Sequence, residues 1–286
     1  NTLQTTSSAT LSGSVYIIAP VVITGSLIQG VTNSVTGIDG HAEGYYTTAS
    51  GDYAHSEGLN TQAKGRASHS EGSSSIASGS YSHAEGDRTI SMGYASHAEG
   101  AGTVSTTTAS HAEGVATLAS GVGAHSEGWY TTASGYYSHA EGRATLASGF
   151  NSHAEGYNSH AEGFASHTEG LAVTANGQYS HAEGENTNTY ARSSHAEGYQ
   201  TQTGYAGIVS TSDEAKGSHS EGRDTIASGS YSHAEGWGSI SRGSASHAEG
   251  YKNVSIGWYS HAEGMYTTAS FSGSHTEGWG TSTGTD

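Results

Sequence analysis

All 18 histidines of this 286-residue chain lie in one repeated pentapeptide, Ser-His-Ala-Glu-Gly, or in a close variant of it. Each histidine is followed two residues later by a glutamate, from Glu43 to Glu277. Imidazole and carboxylate groups at this spacing can form ion pairs, exchange protons or bind a divalent metal. The chemistry open to the chain is therefore concentrated in repeated copies of two side chains.

A uniform row of identical groups gives little support for catalysis. The sequence contains no distinct Ser-His-Asp constellation and no phosphate-binding Gly-Lys-Ser/Thr loop, and it has no cysteine to serve as a nucleophile or thiolate ligand. An active site is expected to interrupt a repeat, whereas here every copy obeys it. We therefore expect no enzymatic activity. The pattern does not by itself identify a cofactor.

The composition excludes an ordinary globular core. Leu, Ile, Val and Phe together make up 32 residues, whereas Gly alone contributes 43. An apolar share this far below about 20% is compatible only with a disordered chain or with a thin repeat solenoid. The net charge of −17 disfavours nucleic acid as a partner, and the longest apolar stretch, 15–23, is too short to span a membrane.

The spacing of the histidines favours the solenoid. It is 14 residues throughout, except that His153, His160 and His167 are 7 apart and that a ten-residue insertion follows His195. Each period contains two heptads of the form Ser/Thr-x-Ala-x-Gly-x-x. Because the heptads are equivalent in this pattern, we expect His160 on the opposite strand of the coil from His153 and His167.

Strand alternation explains the small residues of each heptad. The first, third and fifth positions of an extended pentapeptide face one way, and here they hold Ser/Thr, Ala/Ser and Gly. The glycine and the next two residues supply a turn. The sequence thus predicts an all-β fold, a parallel β-roll solenoid with 14-residue coils, over 41–280, with an insertion loop at about 200–216. Residues 1–40 are expected to form an apolar β cap or shaft junction, and 281–286 a tail.

Ser-x-Ala-x-Gly heptads on a 14-residue period resemble the β-roll of YadA-like trimeric adhesin heads. The His-Ala-Glu-Gly version also resembles repeats of phage tail-fibre and neck-appendage proteins. The resemblance implies a homotrimeric fibre located outside the cell, on a virion or on a cell surface. In the adhesin heads the two outward positions of the strand are typically Val and Ile and meet at the trimer axis, whereas here they are His and Glu.

Three interpretations of the His and Glu columns remain open. Stacked carboxylates about 4.8 Å apart repel by roughly 0.9 kcal/mol per step even in water, so they need compensation. A His–Glu network between chains would supply it and is expected to raise the histidine pKa values. The interchain candidates are His83, Glu85, His97, Glu99, His139, Glu141, His247 and Glu249. A divalent-metal column is the second interpretation, with candidate ligands His83, His97, His139, His153, His167, His181, His233, His247 and His261. An exposed stripe with weak pairing is the third.

Aromatic residues gather at the turns and are candidates for contacts with a cell-surface receptor or glycan: Trp129, Trp237, Tyr251, Trp279 and Tyr205. The sequence therefore favours a fibre segment that displays an attachment surface, has itself as its main partner and does not insert into a membrane. The alternative is a self-assembling extracellular filament subunit held by His/Glu contacts. The sequence favours a metal-binding or ice-binding solenoid less than either of these two functions.

Overall fold

The computed structural model describes residues 27–205 and 215–284, which form 36 short strands in two parallel sheets. The strands of the first sheet are Leu27–Val31 (β1), His41–Tyr45 (β3), His55–Leu59 (β5), His69–Ser73 (β7), His83–Asp87 (β9), His97–Ala101 (β11), His111–Val115 (β13), His125–Trp129 (β15), His139–Ala140 (β17), His153–Ala154 (β19), His167–Leu171 (β21), His181–Glu185 (β23), His195–Tyr199 (β25), His219–Arg223 (β27), His233–Ala234 (β29), His247–Tyr251 (β31), His261–Met265 (β33) and His275–Thr276 (β35). The strands of the second sheet are Ser34–Val35 (β2), Thr48–Ala49 (β4), Gln62–Ala63 (β6), Ile76–Ala77 (β8), Ile90–Ser91 (β10), Val104–Ser105 (β12), Leu118–Ala119 (β14), Thr132–Ala133 (β16), Leu146–Ala147 (β18), His160–Ala161 (β20), Thr174–Ala175 (β22), Asn188–Thr189 (β24), Gln202–Thr203 (β26), Ile226–Ala227 (β28), Ile240–Ser241 (β30), Val254–Ser255 (β32), Thr268–Ala269 (β34) and Ser282–Thr283 (β36).

Successive coils stack directly on one another, so each sheet contains its strands in chain order. Odd-numbered strands pair only with odd-numbered ones and even with even, always in parallel, as in β9–β11–β13 and β10–β12–β14. The main-chain N–H of His97 donates to the carbonyl of Ser110 at 2.9 Å, and this pattern repeats along the stack. The predicted parallel β-solenoid with 14-residue coils is therefore confirmed. The described ranges contain no helix of the length and apolarity needed to cross a bilayer.

His160 lies where the heptad spacing placed it. It pairs with Leu146 and Thr174 in the second sheet, whereas His153 pairs with His139 and His167 in the first. The same pentapeptide can thus occupy either strand of a coil. Its position is determined by its phase in the 14-residue repeat, because inter-coil pairing aligns each heptad with its counterpart in the coil below.

The interior between the sheets is narrow and contains small side chains. Alanine, serine or threonine follows each histidine and is buried, as at Ala98, Ser126 and Thr168, and a second such column runs through the other sheet. The largest fully buried side chains are Val173 and Asn253, followed by threonines. Buried serine hydroxyls donate to nearby carbonyls, as Ser138 does to Gly135 at 2.7 Å. Stability therefore depends on inter-coil hydrogen bonds and close packing rather than on large apolar side chains.

The two heptads of a coil differ at their glycines. In the first sheet Gly100 has φ of 107° and lies over the carbonyl of Gly114, where an added Cβ would be 2.1 Å from the oxygen. In the second sheet Gly163 has no positive φ, but a Cβ there would be 2.1 Å from the oxygen of Gly177. The first position thus requires glycine for backbone conformation and close approach. The second is restricted by close approach alone, and other coils carry Thr107, Ala191 or Phe271 there.

The coils extend beyond the predicted repeat segment at both ends. β1 and β2, within the predicted N-terminal segment, pair in register with β3 and β4, and β36, within the predicted tail, pairs with β34. Leu27–Val31 can pair in this register because it alternates inward and outward positions as the repeat does, with Leu27 in the place of the histidine. The remainder of the predicted cap, 1–26, and the centre of the predicted insertion, 206–214, lie outside the described residues. Strand β27 pairs directly with β25, so the insertion does not disturb the stack.

Candidate functional site

Seventeen histidine rings, all except that of His160, form one continuous stack on the outer side of the first sheet. Successive ring centroids lie 4.6–4.9 Å apart, and the ring planes are within 13° of parallel. The stack continues across the insertion, since the rings of His195 and His219 are 4.9 Å apart. Parallel pairing in register forces this arrangement, because every coil presents the same residue at the same position.

The glutamates form a second column beside the histidines, and we call the two columns together the His/Glu face. Within one coil the Nε2 atom of His97 lies 3.5 Å from Oε2 of Glu99. Glu141 also approaches the histidine of the following coil, with Oε1 3.5 Å from Nε2 of His153. Glu141 therefore lies between the imidazoles of His139 and His153. Beside the first glutamates, the glycine column leaves a groove of about 540 Å³.

Most of the Nε2 atoms on this face are buried and have no hydrogen-bond partner. This holds for 15 of the stacked histidines, from His41 to His247. The exceptions are His261 and His275, whose Nε2 atoms hydrogen bond to Glu249 and Glu263 at 3.2 and 3.3 Å. Leaving a buried polar atom unsatisfied costs about 1–3 kcal/mol. The His/Glu face of one chain thus presents ring nitrogens that still require a partner.

Carboxyl groups in the glutamate column share protons with their neighbours. Side-chain hydrogen bonds to Glu57 and Glu85 raise the pKa of Glu71 to about 7, and the same interactions lower the pKa values of Glu57 and Glu85. Glu113, Glu155, Glu183 and Glu235 also have pKa values raised to about 7. The repulsion expected between stacked carboxylates is therefore relieved in part by retained protons.

Within one chain the histidine pKa values are lowered, whereas the rise predicted for pairing between chains stays a prediction. Burial lowers the pKa of His97, and the neighbouring imidazoles of His111 and His83 lower it further, against a smaller opposing effect of Glu85. The pKa values of His69, His125, His153, His167, His181, His195, His233 and His247 are lowered as well, with burial as the largest cause. Near neutral pH these rings are uncharged, which is the form that binds metals.

The structure places every predicted His and Glu candidate on the His/Glu face. Sequence reasoning selected only part of this face, although the remaining stacked histidines are geometrically equivalent. Groups of two histidines and one glutamate have their ligand atoms within 4.8 Å of one another, as in His83–Glu85–His97 and His167–Glu169–His181. The regular spacing of 14 was the signal that all members of the columns belong together.

Four of the five aromatic candidates share one edge of the roll, formed by the residue directly after the motif glycine; we call it the aromatic edge. Trp237 and Tyr251 are adjacent there and meet edge to face at 5.1 Å, and Trp279 follows two coils later. Trp129 is on the same edge but seven coils before Trp237. Tyr205 is exposed and lies apart, after β26 and next to the insertion.

Arginines cover two of these tryptophans, which the sequence analysis did not anticipate. The guanidinium carbon of Arg143 lies 4.2 Å from the ring centroid of Trp129 and 5.3 Å from that of Tyr157. Arg223 lies similarly between Tyr199 and Trp237. In the sequence, the signal for this contact is an arginine directly after the motif glycine in the coil next to that of the tryptophan. Trp279, 79% exposed, is the most open aromatic ring of the edge.

Comparison with known protein families adds one finding. The family model of the YadA head domain repeat matches this chain twice, at residues 70–96 and 84–105. No curated protein matches the chain. The matched segments cover β8 to β12, and the same coil geometry continues on both sides of them. The chain is therefore a parallel β-solenoid, two overlapping stretches of which are similar to the YadA head domain repeat.

Proposed function

We propose that this chain is a rod-like segment of a homotrimeric fibre that attaches to cells, as part of a cell-surface appendage or a phage tail fibre. The observation that carries the proposal is the contrast between the faces of an adhesin-type repeat. The His/Glu face is the same in every coil from 41 to 277, whereas the outward position of the second sheet holds Thr, Gln, Ile, Val, Leu, His, Asn and Ser. A uniform face fits a repeated contact with identical neighbours.

The physical state of the His/Glu face supports its use as the contact between chains. The side chains are already about two thirds covered, as for His97 and Glu99 at 34% and 36% exposure, and they form flat stacks. Closing the face against two further copies would remove little side-chain freedom. A role as a structural fibre segment also fits the absence of any interruption in the columns, and it favours a non-enzymatic function outside the cell.

Oligomeric mass tests the trimer. A trimer has a mass of about 87 kDa, three times the 29.1 kDa of one chain. We expect this mass for the unmodified chain in sedimentation velocity experiments. Replacing His139, His153 and His167 by glutamate adds like charge to the His/Glu face and should produce single chains.

The second sheet offers a matched control in the same coils. Replacing Leu146, His160 and Thr174 by glutamate adds the same charge on the opposite face. We expect this variant to remain trimeric and to retain the circular dichroism of the unmodified chain. Equal dissociation of both variants, or of neither, would contradict a trimer contact through the His/Glu face.

Attachment is proposed to occur at the aromatic edge, which stays on the outside of such a trimer. Exposed aromatic rings bind the apolar faces of sugars and can also contact protein receptors. Trp279 presents the most open ring of this edge, near the end of the rod, whereas Trp129 stacks against Arg143. Binding to cells or to a glycan array should fall at least tenfold for Trp279→Ala and remain unchanged for Ile38→Ala, an exposed residue at the other end.

The filament alternative rests on the open ends of the stack. Within the described residues β1 and β36 each pair with one strand only, and an unpaired strand edge can recruit another chain. Electron microscopy distinguishes the two assemblies, because a fibre segment gives short rods of one length and a filament subunit gives long polymers.

A further inference from the structure

A single chain contains sets of metal-binding atoms that do not depend on a trimer. Two imidazole nitrogens from successive coils and one carboxylate oxygen lie within 4.8 Å of one another in groups such as His97–Glu99–His111. Two imidazoles and one carboxylate are the protein ligands of many zinc sites that keep a fourth position open. We propose that the His/Glu face binds a row of borderline divalent cations of the Zn²⁺ type, each held by two successive histidines and the glutamate between them.

The state of the ring nitrogens is the main support. The Nε2 atoms, not the Nδ1 atoms, point to the glutamate column, and 15 of them are buried without a hydrogen-bond partner. In the tautomer that carries its proton on Nδ1, the Nε2 atom has a lone pair that can accept a hydrogen bond or bind a metal ion. Because the ion is positive, it would also offset the repulsion between the stacked carboxylates. The outward side of the face, where these side chains are about one third exposed, leaves room for water or a further ligand.

The distances require only local adjustment. Zinc lies about 2.0–2.2 Å from its nitrogen and oxygen ligands, so two ligand atoms on one ion are roughly 3.0–3.5 Å apart. The Nε2–Oε distances on this face are already 3.2–4.0 Å, with His261 to Glu249 the shortest. The two rings are farther apart, at 4.6–4.9 Å between centroids, and must tilt towards each other. Their outward position on the sheet allows this without disturbing the core.

The geometry sets the number of ions. An imidazole nitrogen has one lone pair, so a histidine that shares one ion with its neighbour cannot bind a second ion on its other side. The 17 stacked histidines therefore allow about eight ions per chain, one in every second gap along the stack. A site built from one histidine and one glutamate would instead allow about seventeen.

The test is the zinc content of the full chain after loading with Zn²⁺ and dialysis, measured by elemental analysis. We expect about eight ions per chain, removed by EDTA. Replacing His83, His97, His111 and His125 by glutamine should remove about two of them. His160→Gln, which alters the same motif on the second sheet, should remove none.

Several results would overturn the proposal. These are the absence of retained zinc, a content near seventeen per chain, or an equal loss in the fourfold variant and in His160→Gln. Circular dichroism of each variant distinguishes loss of sites from loss of fold. Since zinc content is counted per chain, the result is independent of the oligomeric mass, and a monomeric chain that binds eight ions would reject the trimer while supporting the metal sites.

Discussion

Glu71 illustrates how stacking changes the acidity of a side chain. Its carboxyl group hydrogen bonds to Glu57 and Glu85, which raises its pKa to about 7 from an ordinary value of 4.5. A folded pKa above the unfolded value means that its stabilising contribution is complete below about pH 4.5 and is lost as the pH rises through 7. The histidines act in the opposite direction, because their lowered pKa values give a contribution that is lost as the pH falls below about 6.5.

A titration of the metal-free chain checks the shared protons. We expect the side-chain carboxyl resonances of the column to separate into two sets, one of which changes near pH 7. The reason is that the loss of a proton shared by two stacked carboxyl groups leaves two negative charges side by side, which raises the pKa for that step. Carbon-13 NMR in EDTA measures this directly. A single transition of all column carboxyls near pH 4.5 would show that they ionise independently.

Glu71→Gln probes the same interaction through stability. At pH 5.5 the glutamine amide can donate to the neighbouring carboxylates as the protonated carboxyl does, so the melting temperature should change little. At pH 8.5 the substitution removes a negative charge from the column, and the melting temperature should rise by a few degrees. Thermal unfolding at both pH values, again in EDTA, gives the comparison. An equal shift at both would be at odds with a raised pKa.

At the scale of the single coil, the positive φ and the missing Cβ of glycine determine how closely neighbouring coils can pack. Gly100→Ala would force φ of 107° on alanine and bring its Cβ to 2.1 Å from a carbonyl oxygen, so we expect a loss of about 2–4 kcal/mol. Gly102→Ala is the matched control, because Ala116 already occupies the equivalent position of the next coil with φ of 55°. Its cost should stay within about 1 kcal/mol. Urea unfolding of both variants measures the difference, and similar losses would refute the role of close approach.

Much of the coil could be predicted from the sequence, because its pairing repeats the same two heptads. The position of His160 followed from a spacing of seven, and the buried column containing Ala98 from strand alternation. The difference in backbone conformation between Gly100 and Gly163 could not be predicted, because both glycines end the same pentapeptide. The protonation of Glu71 and the stacking of Arg143 on Trp129 also depend on contacts between coils, which identical sequence letters do not specify.

At the scale of the whole molecule, each coil contacts only its neighbours, so the chain behaves as a one-dimensional array. The described residues form eighteen strands in each sheet, which at about 4.8 Å per step give a rod roughly 80 Å long. The rod is too thin to bury large apolar side chains, which makes contact with other copies a natural source of additional stability. In the proposed fibre the His/Glu face lies inside, and the aromatic edge and the second sheet remain outside.

A cryo-EM map of the full chain tests this arrangement most directly. The account predicts three parallel rods about 80 Å long around a threefold axis, with the histidine rings of all three chains facing that axis. A map in which the histidine stack faces solvent, or in which the chains meet through the second sheet, would contradict it.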